Sequence, residues 1–236
     1  MPADIEQLKN FIDYQFKDRA LLRQALTHRS YAAETKLKYD NQRLEFLGDS
    51  VLEIIITEYI YKTYPNATEG VMTKLRSALA QQDALATLAR NRCLGEFLLI
   101  GHGEQEAGGA DRDSTLCDLF EAVAGAIYLD GGLEAARKFV LSAIHETYPE
   151  PQKLLATLNP KGTLQEYTQR KWNIAPQYRV LSTSGPDHQK TFSCEAVVHD
   201  YRAVGIGANR RLAECEAARR IIGMIAEKDE SINEIY

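Results

Sequence analysis

Along residues 1–147 apolar side chains recur at helical spacing, and further along the chain the spacing shortens to the alternation of strands. Ile5, Leu8 and Ile12 follow Asp4, and Leu21, Leu22, Ala25 and Leu26 follow Asp18, so each aspartate stands where a helix N-cap belongs. Longer periodic runs predict helices over about 42–63, 70–80, 82–92, 114–129 and 133–146. Gly101 to Gly109 reads as a loop, and it lacks the lysine and hydroxyl residue of a phosphate-cradling one. Pro149, Pro151 and Pro160 then punctuate the chain and mark a linker over 148–158. Beyond it, a short helix near Gly162–Lys171 precedes strand-like runs at about 176–183, 189–198 and 200–206. The second run alternates Phe192, Cys194, Ala196 and Val198 against Ser193, Glu195, Val197 and His199. A closing helix carries Ala213, Ala217, Ile221, Met224 and Ile225 on one stripe. The pattern predicts an all-α domain over 1–147, a small α+β domain of order α-β-β-β-α over 159–228, and an acidic tail over 229–236.

Two of the predicted helices carry acids where an apolar helix should carry none. Glu45 and Asp49 are four apart and Asp118 and Glu121 three apart, so each pair projects from one helical face. Either pair alone is common on a solvated helix. Here Leu44, Phe46, Leu47, Val51, Leu52, Ile54, Ile55 and Ile56 crowd the first, and an apolar run from Leu116 to Ile127 crowds the second. Helices apolar almost all round are usually buried, and Arg43 is the only adjacent base. Facing one another, the two helices would form a nest of four carboxylates, costly unless a cation sits in it. Magnesium or manganese suits an all-oxygen donor set and commonly shares it with substrate phosphates.

Composition narrows the remaining classes. The four cysteines and five histidines are scattered without metal-ligand spacing, which argues against a zinc site or a disulfide framework. No secretory start and no membrane-length apolar run is visible, so a cytoplasmic protein without membrane association is expected. The net charge of −5 conceals an asymmetry: residues 1–150 carry 16 basic and 23 acidic residues, residues 151–226 carry 11 and 6. An acidic catalytic half and a basic nucleic-acid-binding half follow.

Four segments in order resemble the bacterial ribonuclease III family. They are Ala25-Leu-Thr-His28-Arg-Ser-Tyr31, Arg43-Leu-Glu45-Phe-Leu-Gly-Asp49-Ser, Glu69-Gly-Val-Met-Thr, and Asp118-Leu-Phe-Glu121-Ala-Val-Ala-Gly-Ala-Ile-Tyr-Leu-Asp-Gly-Gly132. The second half resembles that family's double-stranded-RNA-binding domain through Leu164-Gln165-Glu166-Tyr167, Gly185-Pro186-Asp187-His188 and Gly205-Ile-Gly207-Ala-Asn209-Arg210-Arg211. The resemblance implies a magnesium-dependent endoribonuclease of double-stranded RNA, with manganese able to substitute and no small-molecule cofactor. It leaves 5′-phosphate and 3′-hydroxyl ends, works as a homodimer making staggered cuts, and processes ribosomal and other structured precursor RNAs. Glu45, Asp118 and Glu121 would bind metal directly, and Asp49 would bind it or hold a water beside it. Gln165, His188, Lys190, Arg210 and Arg211 would meet the RNA, reading A-form shape more than sequence.

Gln42 departs from the family pattern, which often has glutamate there. A glutamine keeps an outer-shell role but not charged ligation, so a second metal position involving Gln42 and Glu69 is put in doubt. Two other classes remain: a non-catalytic dimeric scaffold that binds duplex RNA, and a metal enzyme of small phosphorylated molecules, which leaves the basic half unexplained. The apolar surplus from Phe46 to Ile60 fits either a subunit interface or ordinary core.

Overall fold

The computed structural model describes residues 7–152, 154, 159–186, 190–229 and 232. Asp4 and Ile5 of the predicted first helix, His188 of the predicted RNA contacts and most of the acidic tail lie outside the described residues. The chain divides into two compact units, 1–151 and 152–236, and the division falls inside the stretch read as a linker.

The first unit is helical. Its helices are α1 (Lys9–Ile12), α2 (Arg19–Ala25), α3 (Arg29–Thr35), α4 (Gln42–Thr63), α5 (Glu69–Ala80), α6 (Gln82–Asn91), α7 (His102–Glu106), α8 (Asp113–Gly131) and α9 (Leu133–Thr147). Local chemistry sets several starts: the Asp18 carboxylate accepts the Ala20 N–H at 2.8 Å, as expected of a cap, and Thr68 caps α5 through the Val71 N–H. α8 is the central element, with every residue from Thr115 to Ile127 buried except Asp118 and Glu121. Phe120 stacks on Phe139 of α9, ring centres 5.0 Å apart.

α4 lies directly against α8, and two glycines permit it. A Cβ on Gly48 would be driven into the Glu121 carbonyl, and one on Gly125 into the Leu44 carbonyl. At this crossing the two backbones touch, so the acids flanking it are brought to one side.

One expectation changes, and one point left open is decided. Gly101–Gly109 is not wholly irregular: α7 forms within it because the His102 N–H donates to Glu34 at 3.0 Å and Glu104 pairs with Arg112 at 2.8 Å. α4 is not apolar core all round either. Phe46 is 80% exposed, Ile54 53% and Tyr61 70%, at spacings of eight and seven that share one face.

The second unit runs α10 (Pro160–Trp172), β1 (Gln177–Ser184), β2 (Thr191–Val198), β3 (Tyr201–Gly207) and α11 (Arg210–Ala226). The strands form an antiparallel sheet in the order β1-β2-β3. Leu164, Tyr167, Ala196, Val198, Ala203, Ala217, Ile221 and Ile225 share its core. Met224 is 41% exposed rather than part of the stripe, because Ala218 and Ile222 complete the buried arc and turn it away. Glu195, on the other sheet face, is nonetheless buried, held by Arg179 at 2.7 Å and Arg202 at 3.6 Å. Among the described residues no helix is long and apolar enough to cross a membrane.

Gly48→Ala is expected to destabilise the protein by about 2–4 kcal/mol, since only backbone movement relieves the collision. Gly70, whose Cβ would meet nothing, is the control: Gly70→Ala should be neutral or gain up to about 1 kcal/mol of helix propensity. Urea unfolding measures both, and equal midpoints would mean that the crossing is not close.

Candidate functional site

The crossing of α4 and α8 gathers Glu45, Asp49, Asp118 and Glu121 into mutual electrostatic range. Glu45 and Asp118 line a polar cleft of about 230 Å³, whose walls include His28, Arg29, Gln42, Glu104 and Arg112. Burial raises the Glu45 carboxyl above its ordinary value, and the Asp118 charge raises it further. Asp118 is raised by burial as well, an effect opposed by His28 and Arg29. Glu121 is pushed up to about 7 by burial and then by Asp49, with Asp118 and Glu45 adding to it. Without a cation these acids crowd one another, as the sequence spacing implied.

Cys117 joins the cluster one position before Asp118. It is buried, its thiol donates to Glu121 Oε1 at 3.6 Å, and the ligand atoms of Cys117, Asp118 and Glu121 lie within 4.8 Å of one another. Asp118 and Glu121, with Glu45 and Asp49 in electrostatic range, offer carboxylate oxygens and no histidine, which suits a hard divalent cation.

His28 is held in one role. Its Nδ1 accepts the Ser30 N–H at 3.3 Å and lies 2.7 Å from Ser30 Oγ, which itself accepts the Gly101 N–H at 2.8 Å. Nδ1 is therefore an acceptor and the proton sits on Nε2. Burial, with Arg29 beside it, lowers the imidazole pKa.

The two doubtful positions separate. Gln42 lines the cleft beside Glu45, whereas exposed Glu69 lines another pocket with Thr57, Ile60, Tyr61 and Arg76 and accepts from the Thr73 hydroxyl at 2.9 Å. Thr57 lies 15 residues beyond Gln42 on α4, about 22 Å at 1.5 Å per residue. Within one chain Glu69 is thus not brought to the acidic cluster.

In the second unit Gln165 is exposed on α10, and Lys190 lies exposed just before β2. Arg210 and Arg211 open α11, where the Asn209 side chain accepts the Leu212 N–H at 2.9 Å. The two arginines differ. Arg210 Nε donates to Glu214 at 2.7 Å, and Glu214 also takes Lys161 at 2.5 Å, while Arg211 is exposed and makes no ion pair among the described residues.

Residues 18–148 match the Ribonuclease-III-like family model, and residues 160–223 match the Double-stranded RNA binding motif. The Ribonuclease 3 of Nitrosococcus oceani is 41% identical over 99% of this chain and 100% of its own length. The chain belongs to the ribonuclease III family. The Ribonuclease 3 of Symbiobacterium thermophilum is 45% identical over 89% of this chain and 90% of its own. The nuclease domain of ribonuclease III from Campylobacter jejuni, a solved structure, aligns with a TM-score of 0.59 and 40% identity, over 62% of this chain and 99% of that domain. Membership makes the protein an endoribonuclease acting on double-stranded RNA, with a helical nuclease domain and an α-β-β-β-α RNA-binding domain. The family uses divalent metal, and the acidic cluster at the α4–α8 crossing is the candidate site for it.

Sequence reasoning singled out the four acids but not Cys117, Arg29, Glu104 or Arg112. The last three stand in loops or at helix ends, where apolar periodicity gives no signal.

Glu121→Gln should stabilise the metal-free protein at pH 8. A carboxyl whose folded pKa is raised loses stability as pH climbs from the unfolded value of 4.5 to about 7. The gain from the amide is therefore full above about pH 7 and absent below 4.5. Discounted for solvent screening of a half-buried group, it is roughly 1–2 kcal/mol. Denaturation midpoints at pH 4 and pH 8 check this, and an equal effect at both would show that repulsion is not its source.

Proposed function

We propose that the protein is a magnesium-dependent endoribonuclease that hydrolyses both strands of duplex RNA with a stagger, leaving 5′-phosphate and 3′-hydroxyl ends. The observation that carries this reading is the convergence of four carboxylates, with Glu121 pushed up to about 7 by burial and by Asp49. Glu45, Asp118 and Glu121 would hold magnesium or manganese directly, and Asp49 would bind it or steady a water beside it. A bound divalent cation supplies a lowered pKa for the attacking water and charge neutralisation at the phosphoryl oxygens. The residues' own part is to hold that charge in place and to keep the cleft polar on one side and closed by α8 on the other. Gln42 contributes an amide to the outer shell, not a charge.

The second domain delivers the substrate. Arg211, with Arg210, Gln165, His188 and Lys190, would meet phosphates and 2′-hydroxyls of an A-form helix, recognising shape more than sequence. Structured precursor RNAs, ribosomal ones among them, and a cytoplasmic setting follow from this reading. A homodimer is also part of it. The stripe of Phe46, Ile54 and Tyr61 leaves an apolar face on α4 that a second copy would cover, and the C. jejuni nuclease domain is described as having a region involved in dimer formation.

The decisive assay incubates the protein with duplex RNA, single-stranded RNA and duplex DNA, in magnesium or chelator. Only duplex RNA in magnesium should be cut, and Glu121→Ala should abolish cutting while duplex affinity in calcium stays within about 3-fold. An intact duplex in magnesium would sink the reading. In the same system Arg211→Ala should flatten the salt dependence of binding by about one unit of slope, and Arg210→Ala by less. An unchanged slope for Arg211→Ala removes it from the RNA surface. Phe46→Glu should yield monomers in sedimentation equilibrium, and a persisting dimer would relocate the interface.

A further inference from the structure

The cleft over Glu45 and Asp118 contains two arginines, and their situations differ. Arg112 is committed to Glu104 at 2.8 Å. Arg29 is exposed, and among the described residues it forms neither a hydrogen bond nor an ion pair. It does so although Glu45 and Asp118 line the same cleft and both feel its charge. An arginine beside two carboxylates normally closes on one of them. Here a gap is kept between the guanidinium and the acids.

The backbone explains how the gap is kept. Arg29 is the first residue of α3, and the turn before it is fastened on three sides. The His28 N–H donates to the Leu99 carbonyl at 2.9 Å, the Leu99 N–H donates to the Leu26 carbonyl at 2.8 Å, and the Asn41 N–H donates to the Thr27 carbonyl at 2.9 Å. The His28 side chain caps the same helix. The backbone of Arg29 is thus held by the segment that also leads into α4 through Asn41.

We propose that Arg29 binds a non-bridging oxygen of the RNA phosphate being cut, from the wall of the cleft that it shares with Glu45 and Asp118. This rests on the reading of Glu45 and Asp118 as cation-holding acids. A dication held by those acids and a guanidinium in the same cleft would both attract a tetrahedral anion, and the planar fork of arginine suits two phosphate oxygens. With His28 Nδ1 engaged by Ser30 and Arg112 paired with Glu104, Arg29 is the cleft's uncommitted guanidinium among the described residues. Arg29 keeps its proton throughout. Water adds to phosphorus, the bond from phosphorus to the 3′ oxygen breaks and that oxygen takes up a proton, while Arg29 holds charge that grows on the phosphoryl oxygens.

The test uses full-length Arg29→Ala and Arg29→Lys with a long RNA duplex in saturating magnesium, and manganese binding by calorimetry without RNA. Arg29→Ala should lower kcat roughly 10- to 100-fold, with KM changed by less than about 3-fold. Arg29→Lys should recover part of the loss, because it restores charge without the fork. Manganese affinity of Arg29→Ala should be unchanged or tighter, since a positive charge near the acids has been removed. Wild-type kcat in Arg29→Ala would overturn the assignment, as would a rise in KM alone, which would place the residue on a flanking phosphate. Parallel loss of manganese affinity and cutting would overturn it too, by making Arg29 a support of the cation site. If the wild-type protein itself fails to cut duplex RNA, the endonuclease reading fails first, before any variant is compared.

Discussion

Contact between the backbones of α4 and α8 at Gly48 and Gly125 is the constraint on which the nuclease domain depends. Side chains at these positions would collide with the facing backbone and push the helices apart. The acids stand within one turn of the crossing: Glu45 and Asp49 bracket Gly48, and Glu121 precedes Gly125 by four residues. Separation of the helices would therefore disperse the four charges as well as loosen the core. The packing that gives α8 its fully buried flanks is the same packing that assembles the site.

That arrangement sets stability against function. Carboxylates at a desolvated crossing repel one another, and the raised values of Glu45, Asp118 and Glu121 record it. A structural ion pair would remove the strain, yet Arg112 pairs with Glu104 and Arg29 pairs with neither acid. The cluster is thus a candidate site for the divalent metal that this family uses. In the RNA-binding domain the economy runs the other way. Glu195 and Glu214 are buried with arginine or lysine partners, so their charges serve the fold, while Arg211 stays exposed.

Much of this was legible in the chain, for identifiable reasons. Long helices such as α4 and α8 were readable within a residue or two because their apolar positions repeat over several turns. The four acids stood out because charge interrupts an apolar run. α7 was not readable, since it is one turn whose start is held by Glu34 from a distant helix. The exposure of Phe46, Ile54 and Tyr61 was undecided because periodicity does not distinguish core from a face awaiting a partner. Met224 was misplaced because a stripe at i+3 and i+4 spacing is wider than the arc the sheet covers. Gln42 opens α4, whereas Glu69 opens α5 and lies against the far end of α4, a separation that motif order does not reveal. Arg29 carried no periodic signal, and its meaning comes from what it fails to touch.

The central claim is that the α4–α8 crossing builds a cation site from mutually repelling carboxylates, and the most direct test is the thermal midpoint of the RNA-free protein at pH 8 with and without manganese. Cation binding to the folded state should raise the midpoint by several degrees in the wild-type protein. The rise should disappear when Asp118→Asn and Glu121→Gln are combined. An unchanged wild-type midpoint in millimolar manganese, or an equal rise in the double variant, would contradict the account.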